Sequence, residues 1–503
     1  MTGGLPFTRR TLLVGGAAST MSFALRQGSA STRRYGAVIY GATPSGVMAA
    51  VAAAREGLDV AIVTAGPMGG MCAQGLGWTD ASNTNVIGGL ALSFFTAVGH
   101  AYGRQHPVYL FEPHVAGRTF HAMLSSAGVA IISGNLSQVC KTGRRITAIR
   151  LTDGSVVNGK YFVDASYEGD LMAHSGCAFM VGRESRAAYE ESFAGFNAYP
   201  KLGRGNFRDG RGNLVSGVKP FPKRAVGSGD AAVPAYTFRV CLTDDPANKM
   251  PYSRPAHYNA ARYMLELSTI GKFTPGALPN RKFDLNGDHI GASWGWPIGT
   301  YAERAAIWQD HYNYQAGLLY FLANDPMVHS HVRDQVNQYG LPKDEFVSNG
   351  GWPEQLYIRE ARRLRGRVVL TQKALQQRLV SSQPIGMGCY SFDAHPTQIL
   401  AMGENELDYE GTIGPHSLAE LKPYQIPYKA LIPNEFDNLL VSVCISATHV
   451  AYSSIRMEPQ YMIMGEAAGC AIGLAVQGNE PTSAVATAIS RTLRGYGAVL
   501  SLD

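Results

Sequence analysis

The stretch YGAVIYGATPSGVMAAVAAAREGLDVAIVTAGPMGG, residues 35–70, limits the possible folds of this chain more than any other segment. Residues 38–40 read as a short apolar strand, Gly41 begins a tight turn, and Gly46 opens an alanine-rich helix. Residues 58–63 read as a second apolar strand after that helix. This order predicts a strand–helix–strand unit, and with it parallel strands in a mixed α/β fold.

The glycine spacing in this unit is typical of a dinucleotide-binding turn, with two departures. Thr43 replaces the middle glycine, and Thr64 stands where an acid normally binds a ribose hydroxyl. Because the backbone amides and the helix dipole remain, we expect the turn to hold a pyrophosphate. A nucleotide-free α/β packing unit is the alternative. The residues assigned to the cofactor here are Gly41, Thr43, Pro44, Ser45, Gly46 and Thr64.

A second glycine-rich loop, GPMGGM at residues 66–71, follows the second strand directly. In flavoproteins with this type of start, such a loop runs along the pyrophosphate toward the flavin. A simple NAD-binding domain does not need it. We therefore add Gly69, Gly70 and Met71 to the predicted cofactor contacts, and the loop favours FAD over NAD.

Several blocks along the chain carry a family resemblance. They include GGMCAQGLGWTDASNTNVIGGLALSFF at residues 69–95, YFVDASYEGDLMAHSG at 161–176 and NLLVSVCISATHVAYSSIRMEPQYMIMGEAAG at 438–469. These blocks resemble the bacterial family of FAD-dependent oxidoreductases with a glutathione-reductase-like fold. The resemblance implies bound FAD, but it does not define the reaction.

The resemblance also implies a domain organisation. We expect an α/β protein with a Rossmann-like FAD-binding domain, built from a βαβ unit and a β-meander, that is discontinuous in sequence. Its parts are predicted at residues 31–185 and 426–503, with a mixed α+β substrate or cap domain inserted at 186–425. The insertion has no second G-x-G-x-x-G unit, so a dedicated NAD(P)H domain is not expected.

The resemblance assigns further positions around the cofactor. Val139 is expected near the adenine, and Ala165 and Ser166 near the nucleotide, where an ordinary strand exit is the alternative. A closing helix over about residues 458–476, with several small residues, is expected to lie close to the sheet. Its first residues, Glu458 and Pro459, would then face the isoalloxazine, where the helix dipole stabilises negative charge.

The first thirty residues differ from the rest of the chain. Arg9 and Arg10 precede a mildly apolar run, and small residues follow at 28–30, a pattern typical of a twin-arginine export signal. We expect a periplasmic or secreted protein; a basic tail followed by a short helix is the alternative. The apolar run is too short to span a bilayer, for which about 20 residues are needed, so stable membrane insertion is not expected.

Charge and cysteine content exclude some functions. The formal net charge is +6, and the first thirty residues hold three arginines and no acids, which leaves +3 for the rest. No dense basic stripe remains, so nucleic-acid binding is not supported. The seven cysteines form no C-x-x-C pair, and DLNGD at residues 284–288 lacks the glutamate of a calcium loop, so no metal site is predicted.

A flavin that oxidises a substrate needs a base for the departing proton, and histidine is the first choice by pKa. His449, after the last apolar strand and before the closing helix, ranks first; a turn-stabilising role is the alternative. His395 and His311, both from the insertion, are further candidates, although each is more often structural. Arg456 could bind a substrate carboxylate or anionic flavin, or pair locally with an acid, and Tyr452 could donate to a substrate oxygen.

These features predict an enzyme that oxidises an alcohol, an amine or a C–C bond of a small organic substrate, with oxygen or an electron carrier as acceptor. A flavin-dependent reductase of an unsaturated acceptor is the nearest alternative. A secreted binding or scaffold protein that has lost its nucleotide is an alternative from another class.

Overall fold

The computed structural model of this chain describes residues 33–81, 83–197, 203–204, 207–270, 273–414 and 421–502. The predicted export signal at residues 1–30 lies outside these ranges. Among the described residues, no helix is both long enough and apolar enough to cross a membrane.

The first part of the chain alternates strands and helices. In order, its elements are β1 (Arg34–Tyr40), α1 (Pro44–Arg55), β2 (Val60–Thr64), α2 (Gly70–Ala73), α3 (Gly89–Ala101), α4 (Pro113–Ser126), β3 (Ala130–Ser133), β4 (Leu136–Thr142), β5 (Arg145–Leu151), β6 (Val156–Asp164), α5 (Asp170–Ser175) and β7 (Phe179–Val181).

The middle part consists mainly of short strands around one long helix. In order, its elements are α6 (Arg186–Tyr189), β8 (Gly203–Arg204), β9 (Val218–Pro220), β10 (Val240–Thr243), β11 (Lys249–Met250), α7 (Glu266–Thr269), β12 (Gly276–Leu278), β13 (Lys282–Leu285), α8 (Tyr301–Asn324), α9 (Ser330–Asn337), β14 (Leu341–Pro342), β15 (Arg362–Leu364), α10 (Gln372–Gln376), β16 (Pro384–Gly388), β17 (Gln398–Ala401), β18 (Glu406–Glu410) and β19 (Tyr424–Pro427).

The last part returns to the main sheet. Its elements are β20 (Leu439–Val441), α11 (His449–Ile455), α12 (Glu458–Gly478) and α13 (Ile489–Gly495).

The main sheet contains the predicted parallel strands. Strands β3, β2, β1 and β6 lie side by side in that order and are all parallel, and β20 pairs in parallel with the last three residues of β6. The first half of β6 pairs antiparallel with β5, which pairs antiparallel with β4. The predicted mixed α/β fold with a parallel sheet is therefore confirmed, and the strands β4–β6 form the expected meander.

Helix α12 packs on α1, and glycines make this contact possible. A Cβ on Gly465 would collide with the carbonyl oxygen of Ser45, and one on Gly469 with that of Ala49. The sequence predicts a closing helix that lies close to the sheet. The close approach that Gly465 and Gly469 permit is to α1, which itself packs on β1 and β2.

Most of the core of the middle part is shared with the main sheet. Tyr236, Leu356 and Phe392 belong to the same apolar cluster as the strands of that sheet, and a small second cluster lies within the middle part itself, around Phe207 and Leu407. Strand β15 also pairs antiparallel with β7, which joins the middle of the chain to the first part. The end of β1 therefore meets side chains from both parts of the chain, and a cavity lined by both parts lies there.

Candidate active site and cofactor cavity

The turn between β1 and α1 has the geometry of a nucleotide cradle. Gly41 has a φ of +100°, and a Cβ there would lie 2.6 Å from the backbone nitrogen of Ser166. A Cβ on Gly46 would collide with the carbonyl oxygen of Gly41. Both glycines are therefore required by the backbone, and the turn of Gly41, Ala42 and Thr43 lines a cavity at the start of α1, where the helix dipole favours an anionic group.

Thr43 fits this cradle because its hydroxyl is used within the protein. The Oγ1 caps α1 by accepting from the Gly46 amide at 3.2 Å, and it donates to the carbonyl of Ala165 at 2.7 Å. Pro44 follows at the first helical position, and the hydroxyl of Ser45 lies 2.8 Å from that of Ser442, beside β20. The threonine thus replaces the middle glycine with a helix cap, and the backbone path is kept.

The second glycine-rich loop is fixed to both the cradle and α12. Gly69 and Gly70 have positive φ, and the Gly69 amide donates to the carbonyl of Ala42 at 2.8 Å. The Met71 amide donates to the hydroxyl of Tyr167 at 3.0 Å, and this hydroxyl donates to Glu458 Oε1 at 2.7 Å. Tyr167 therefore connects the predicted flavin-side loop to the first residue of the closing helix.

A cavity of about 610 Å³ begins at the cradle. This volume lies in the range of small-molecule and cofactor sites. The first part of the chain contributes Tyr40, Gly41, Ala42, Thr43, Thr64, Ala65, Gly66, Pro67, Gly70, Asn135, Ser166, Tyr167, Glu168 and Asp170. The middle part contributes Trp296, Tyr301, Arg304, Ala305, Trp308, Gln309, Glu354, Gln355 and Leu356.

Thr64 reaches this cavity, but its hydroxyl is bonded locally. It accepts from the Gly66 amide and donates to the Gly66 carbonyl, both at 3.1 Å. Gln355 lies opposite, since a Cβ on Gly66 would lie 3.5 Å from Gln355 Oε1. The middle part of the chain thus brings a neutral acceptor to the place where a carboxylate usually follows β2.

The other nucleotide-side predictions have different surroundings. Ala165 and Ser166 follow β6, and Ser166 donates to Asp164 Oδ1 through both its amide and its hydroxyl. Burial raises the pKa of Asp164 to about 6, even though these bonds and the Met172 amide favour its charged form. Val139 lies in β4, opposite Ile149, and is not one of the cavity-lining residues.

The first turn of α12 holds buried polar groups that need a partner. Glu458 Oε2 and both amide atoms of Gln460 have no hydrogen-bond partner among the described residues. Burial raises the pKa of Glu458 to about 8, so its carboxyl is mostly neutral at pH 7. Unsatisfied buried groups of this kind are rare, and a polar ligand that reaches past Tyr167, which lines the cavity and donates to Glu458, would satisfy them.

A polar cluster lies just beyond the cavity wall, because Tyr357 follows the lining residues Gln355 and Leu356. We define the polar cluster as Asp80, Arg239, Asp284, Asp288, Tyr357, Arg359, Tyr390, Asp393, His395 and Arg456. Electrostatic interactions link its members to one another and to Glu458. It is partly open, since 29% of the Asp393 side chain and 23% of the His395 side chain are exposed, so a small molecule can reach it.

Two guanidinium groups flank the Tyr357 ring in this cluster. Arg359 lies 4.8 Å and Arg456 lies 5.9 Å from the ring centroid. Arg456 also donates to the Tyr357 hydroxyl at 3.1 Å and to Asp393 Oδ2 at 3.0 Å. The local acid that we considered for Arg456 is therefore Asp393, from the middle part, and not the neighbouring Glu458.

His395 is the histidine best placed for proton transfer in the cluster. Its Nδ1 lies 2.6 Å from Asp288 Oδ2, and its Nε2 lies 3.7 Å from Asp393 Oδ2, too far for a hydrogen bond. Although burial opposes ionisation, Arg359 and His395 hold the pKa of Asp288 well below its ordinary value. A carboxylate can only accept, so Nδ1 donates and Nε2 keeps its lone pair when the ring is neutral.

His449 and Tyr452 lie behind this cluster. His449 is buried, with its Nδ1 2.8 Å from Glu360 Oε2, and its amide donates to Glu184. The Tyr452 hydroxyl donates to the carbonyl of Val443 and lies 2.8 Å from that of Tyr461. Arg359 and Glu360 are neighbours in sequence but contact different groups, and only Arg359 belongs to the polar cluster.

His311 is held within the protein interior on α8. Its Nδ1 lies 2.8 Å from the Ile307 carbonyl, and its Nε2 lies 3.4 Å from the Ser293 hydroxyl. Burial lowers the pKa of His311 to about 4. The structure thus brings His395 and Arg456 together at Asp393, whereas the hydrogen bonds of the His311 and His449 rings go to groups outside the polar cluster.

One group with metal-ligand chemistry occurs among the described residues: Glu112, His114 and Glu345. The Lys282 ammonium lies 3.1 Å from Glu112 Oε1 and 3.1 Å from Glu345 Oε1. The lysine supplies the positive charge that a cation would bring, so the group is satisfied as an ion-pair network.

The model of one protein family, described as FAD dependent oxidoreductase, matches residues 37–494. The chain belongs to this family. FAD is therefore its cofactor, and the residues present fit it. The glycine cradle suits the pyrophosphate, the cavity suits an extended dinucleotide, and the unsatisfied groups of Glu458 and Gln460 suit a polar ring edge.

The solved structures similar to this oxidoreductase align over a limited part of it. L-proline dehydrogenase from P. horikoshii is 14% identical over 30% of this chain and 59% of its own, with a TM-score of 0.25. L-amino acid deaminase from Proteus vulgaris is 13% identical over 32% of this chain and 55% of its own, with a TM-score of 0.24. This chain therefore spans less than two thirds of either relative, and no curated protein matches it.

Several residues of the oxidoreductase's site were missed by the sequence analysis. Tyr167, Gln355, Asp288 and Asp80 were not singled out for the site, although Asp288 was noted within a turn-like DLNGD stretch. Nothing in their local sequence separates them from ordinary loop residues. A signal was available for Tyr167 and Asp80, which lie in the blocks at residues 161–176 and 69–95 that carried the family resemblance.

Proposed function

We propose that this FAD-dependent oxidoreductase oxidises a small organic substrate, an alcohol, an amine or a saturated C–C bond, with His395 as the base. The observation that carries this proposal is the Asp288–His395 pair in the polar cluster, whose member Tyr357 directly follows the cavity-lining residue Leu356. Bound FAD supplies the hydride acceptor, its N5 atom.

In this proposal the protein's own groups position the substrate and take its proton. Asp288 accepts from Nδ1 of His395 and holds the ring so that Nε2 can receive a proton. Arg359 keeps Asp288 charged. Arg456 and Tyr357 offer hydrogen-bond donors on the same side of the cluster, which suits a substrate oxygen.

The geometry favours His395 over His449, which the sequence ranked first. A base must reach the substrate, and His449 is 1% exposed and bound to Glu360, whereas the His395 side chain is 23% exposed. We assign His449 to holding the start of α11, which is the alternative already considered for it.

We further propose that residues 186–425 act as a cap over the cofactor. Trp296, Tyr301, Arg304, Trp308 and Gln355 support this role, because all of them line the cavity wall opposite the cradle. Oxygen or an electron carrier would then reoxidise the enzyme. The twin-arginine pattern supports export to the periplasm or beyond after the cofactor has been bound in the cytoplasm.

Anaerobic reduction tests the proposed function. The purified yellow protein is mixed without oxygen with alcohols, sugars, amines and carboxylic acids, and the visible flavin absorption is followed. Loss of absorption with one substrate class, and its return on admission of oxygen or a carrier dye, is the expected result. Reoxidation by an enoate after reduction by an external donor would instead identify a reductase. A colourless, folded protein would identify the nucleotide-free scaffold.

A further inference from the structure

Each arginine of the polar cluster already has an acidic partner. Arg239 binds both oxygens of Asp284, at 2.8 and 2.6 Å. Arg359 lies 3.0 Å from Asp288, and Arg456 lies 3.0 Å from Asp393. The three guanidinium charges are therefore matched one to one by three carboxylates.

This pairing argues against an anionic substrate. A site for a carboxylate or phosphate normally keeps an arginine available for bidentate binding. Here Arg456 donates through both terminal nitrogens to Asp393 and Tyr357, and its Nε is the atom with no partner among the described residues. The Nε of Arg359 is also buried and has no hydrogen-bond partner among the described residues. Both arginines are thus already engaged through their terminal nitrogens, so neither presents a free bidentate face to an anion.

Asp80 is the remaining acid of the cluster, and it has no ion-pair or hydrogen-bond partner at its carboxyl among the described residues. Burial raises its pKa. The negative charges of Asp393 and Asp284 also raise it, whereas the positive charges of Arg239 and Arg456 lower it. The Asp80 carboxyl therefore has oxygens available to a bound hydroxyl. With the phenols of Tyr357 and Tyr390, the cluster offers several uncharged or charge-balanced hydrogen-bonding groups close together.

Resting on the proposed function, we propose that the substrate is a neutral compound with more than one hydroxyl group, a polyol or sugar, oxidised at a secondary or primary carbinol. The carboxyl of Asp80 and the phenols of Tyr357 and Tyr390 suit separate hydroxyls, and the paired arginines leave no net positive charge for an acid.

The reaction balances with the groups present. The O–H bond of the substrate breaks and its proton goes to Nε2 of His395. The C–H bond on the same carbon breaks and its electron pair leaves as hydride to the family's cofactor, FAD. The carbon–oxygen bond becomes a carbonyl, so the alcohol loses two electrons and two hydrogens in total.

Three matched panels test this inference on the intact FAD-loaded protein under anaerobic conditions. The first contains neutral polyols and aldoses, the second the corresponding aldonic acids, and the third the corresponding amino sugars. Flavin reduction gives kcat/KM for each compound. The dissociation constant of each compound is measured separately by calorimetry with oxidised protein and short contact times. We expect the neutral panel to exceed the other two at least tenfold in both quantities.

The outcomes separate this inference from the proposed function. A preference for the acids or the amino sugars would overturn the neutral-substrate inference and still support an oxidoreductase with a base in the cluster. If no compound of the three panels reduces the flavin but simple amines or C–C bond substrates do, the neutral-substrate inference is overturned and the oxidoreductase function is still supported. A lack of reduction by every organic compound, in protein that dithionite reduces, would overturn both.

A charge variant gives a second test that does not depend on wild-type preference. Asp393→Asn removes the partner of Arg456 and leaves an uncompensated guanidinium, so the ratio of acid to neutral kcat/KM should rise at least tenfold. Asp244→Asn is the matched control, because Asp244 pairs with Arg281 on the surface at 2.8 Å. A loss of activity with an unchanged ratio in Asp393→Asn would contradict the charge-balance argument.

Discussion

His395 Nδ1 and Asp288 Oδ2 lie 2.6 Å apart, although the two residues are 107 positions apart in the sequence. The second oxygen of this carboxylate lies 3.0 Å from Arg359. A guanidinium thus holds a carboxylate, and the carboxylate holds an imidazole. This chain of contacts from Arg359 through Asp288 orients His395 by hydrogen bonding. The histidine of hydrolase triads is oriented by the same principle.

Replacement of His395 should affect proton removal more than cofactor binding. We expect His395→Gln to keep its yellow colour and to slow flavin reduction by about 10²- to 10⁴-fold, the usual contribution of a positioned base. Stopped-flow absorbance under anaerobic conditions measures this rate. His311→Gln is the control, because the ring of His311 lies against the Ile307 carbonyl and the Ser293 hydroxyl, which are not members of the polar cluster. Normal reduction in His395→Gln together with slow reduction in His449→Gln would restore the sequence-based ranking.

The two glycines of the cradle should matter more than the threonine between them. Gly46→Ala introduces a Cβ that collides with the Gly41 carbonyl, so we expect at least a tenfold loss of bound FAD per protein. Thr43→Ala removes a helix cap and should lower the free energy of unfolding by about 1 kcal/mol while FAD binding largely persists. Gly117→Ala, where the nearest atom to a new Cβ is 3.6 Å away, is the control. Equal loss of FAD in all three variants would contradict this assignment.

Gln355 should take part in FAD binding in place of the acid that is absent at Thr64. Loss of one hydrogen bond to a buried hydroxyl is worth about 1–2 kcal/mol, so Gln355→Ala should raise the dissociation constant of FAD roughly 5- to 30-fold. Titration of apoprotein with FAD, followed by flavin fluorescence, gives this constant. Gln338→Ala, on the exposed end of α9, is the control. If the dissociation constant of FAD is unchanged in Gln355→Ala, Gln355 does not bind the ribose hydroxyl.

The raised pKa of Glu458 makes stability depend on pH. Its pKa is about 8 in the folded protein and 4.5 in its ordinary state, so the native state binds the extra proton between these values. Stability conferred by the neutral carboxyl is therefore lost as pH rises from about 4.5 to about 8, by at most about 1.4 kcal/mol per unit. Glu458→Gln should lack this loss, and its advantage over wild type should level off above pH 8.

Urea unfolding at several pH values measures this difference, both with FAD and after its removal. Glu404→Gln, at an exposed position, is the control and should follow wild type. A constant difference between wild type and Glu458→Gln across the range would show that the carboxyl is charged in the folded protein.

Export by the twin-arginine route gives a prediction outside the described residues. Replacement of both Arg9 and Arg10 by lysine should leave the protein in the cytoplasm, still yellow, because folding and cofactor binding precede export on this route. Cell fractionation with absorbance of each fraction measures this. Lysine at Arg33 and Arg34 is the control, since these residues follow the predicted signal. Unchanged export of the double lysine variant would argue for the basic-tail alternative.

The local sequence was sufficient for the parallel sheet and for the cofactor end of the site. Gly41 and Gly46 lie in one short strand–turn–helix segment together with the apolar runs that flank them. Their interactions are local, so their pattern predicts the cradle directly. The same holds for Thr43, whose hydroxyl bonds three residues ahead. The sequence also provided the candidate base, since His395 was among the three histidines considered.

The tertiary structure alone decided which histidine lies in the partly open polar cluster and where the small residues of α12 point. Asp288, Arg359, His395 and Arg456 come from separate loops, and no local pattern encodes their distances. Gln355 faces Gly66 for the same reason. Hydrophobic periodicity and turn chemistry act over a few residues, whereas a buried charge cluster depends on long-range packing that pairs each arginine with an acid, because an unpaired charge is costly in a low-dielectric interior.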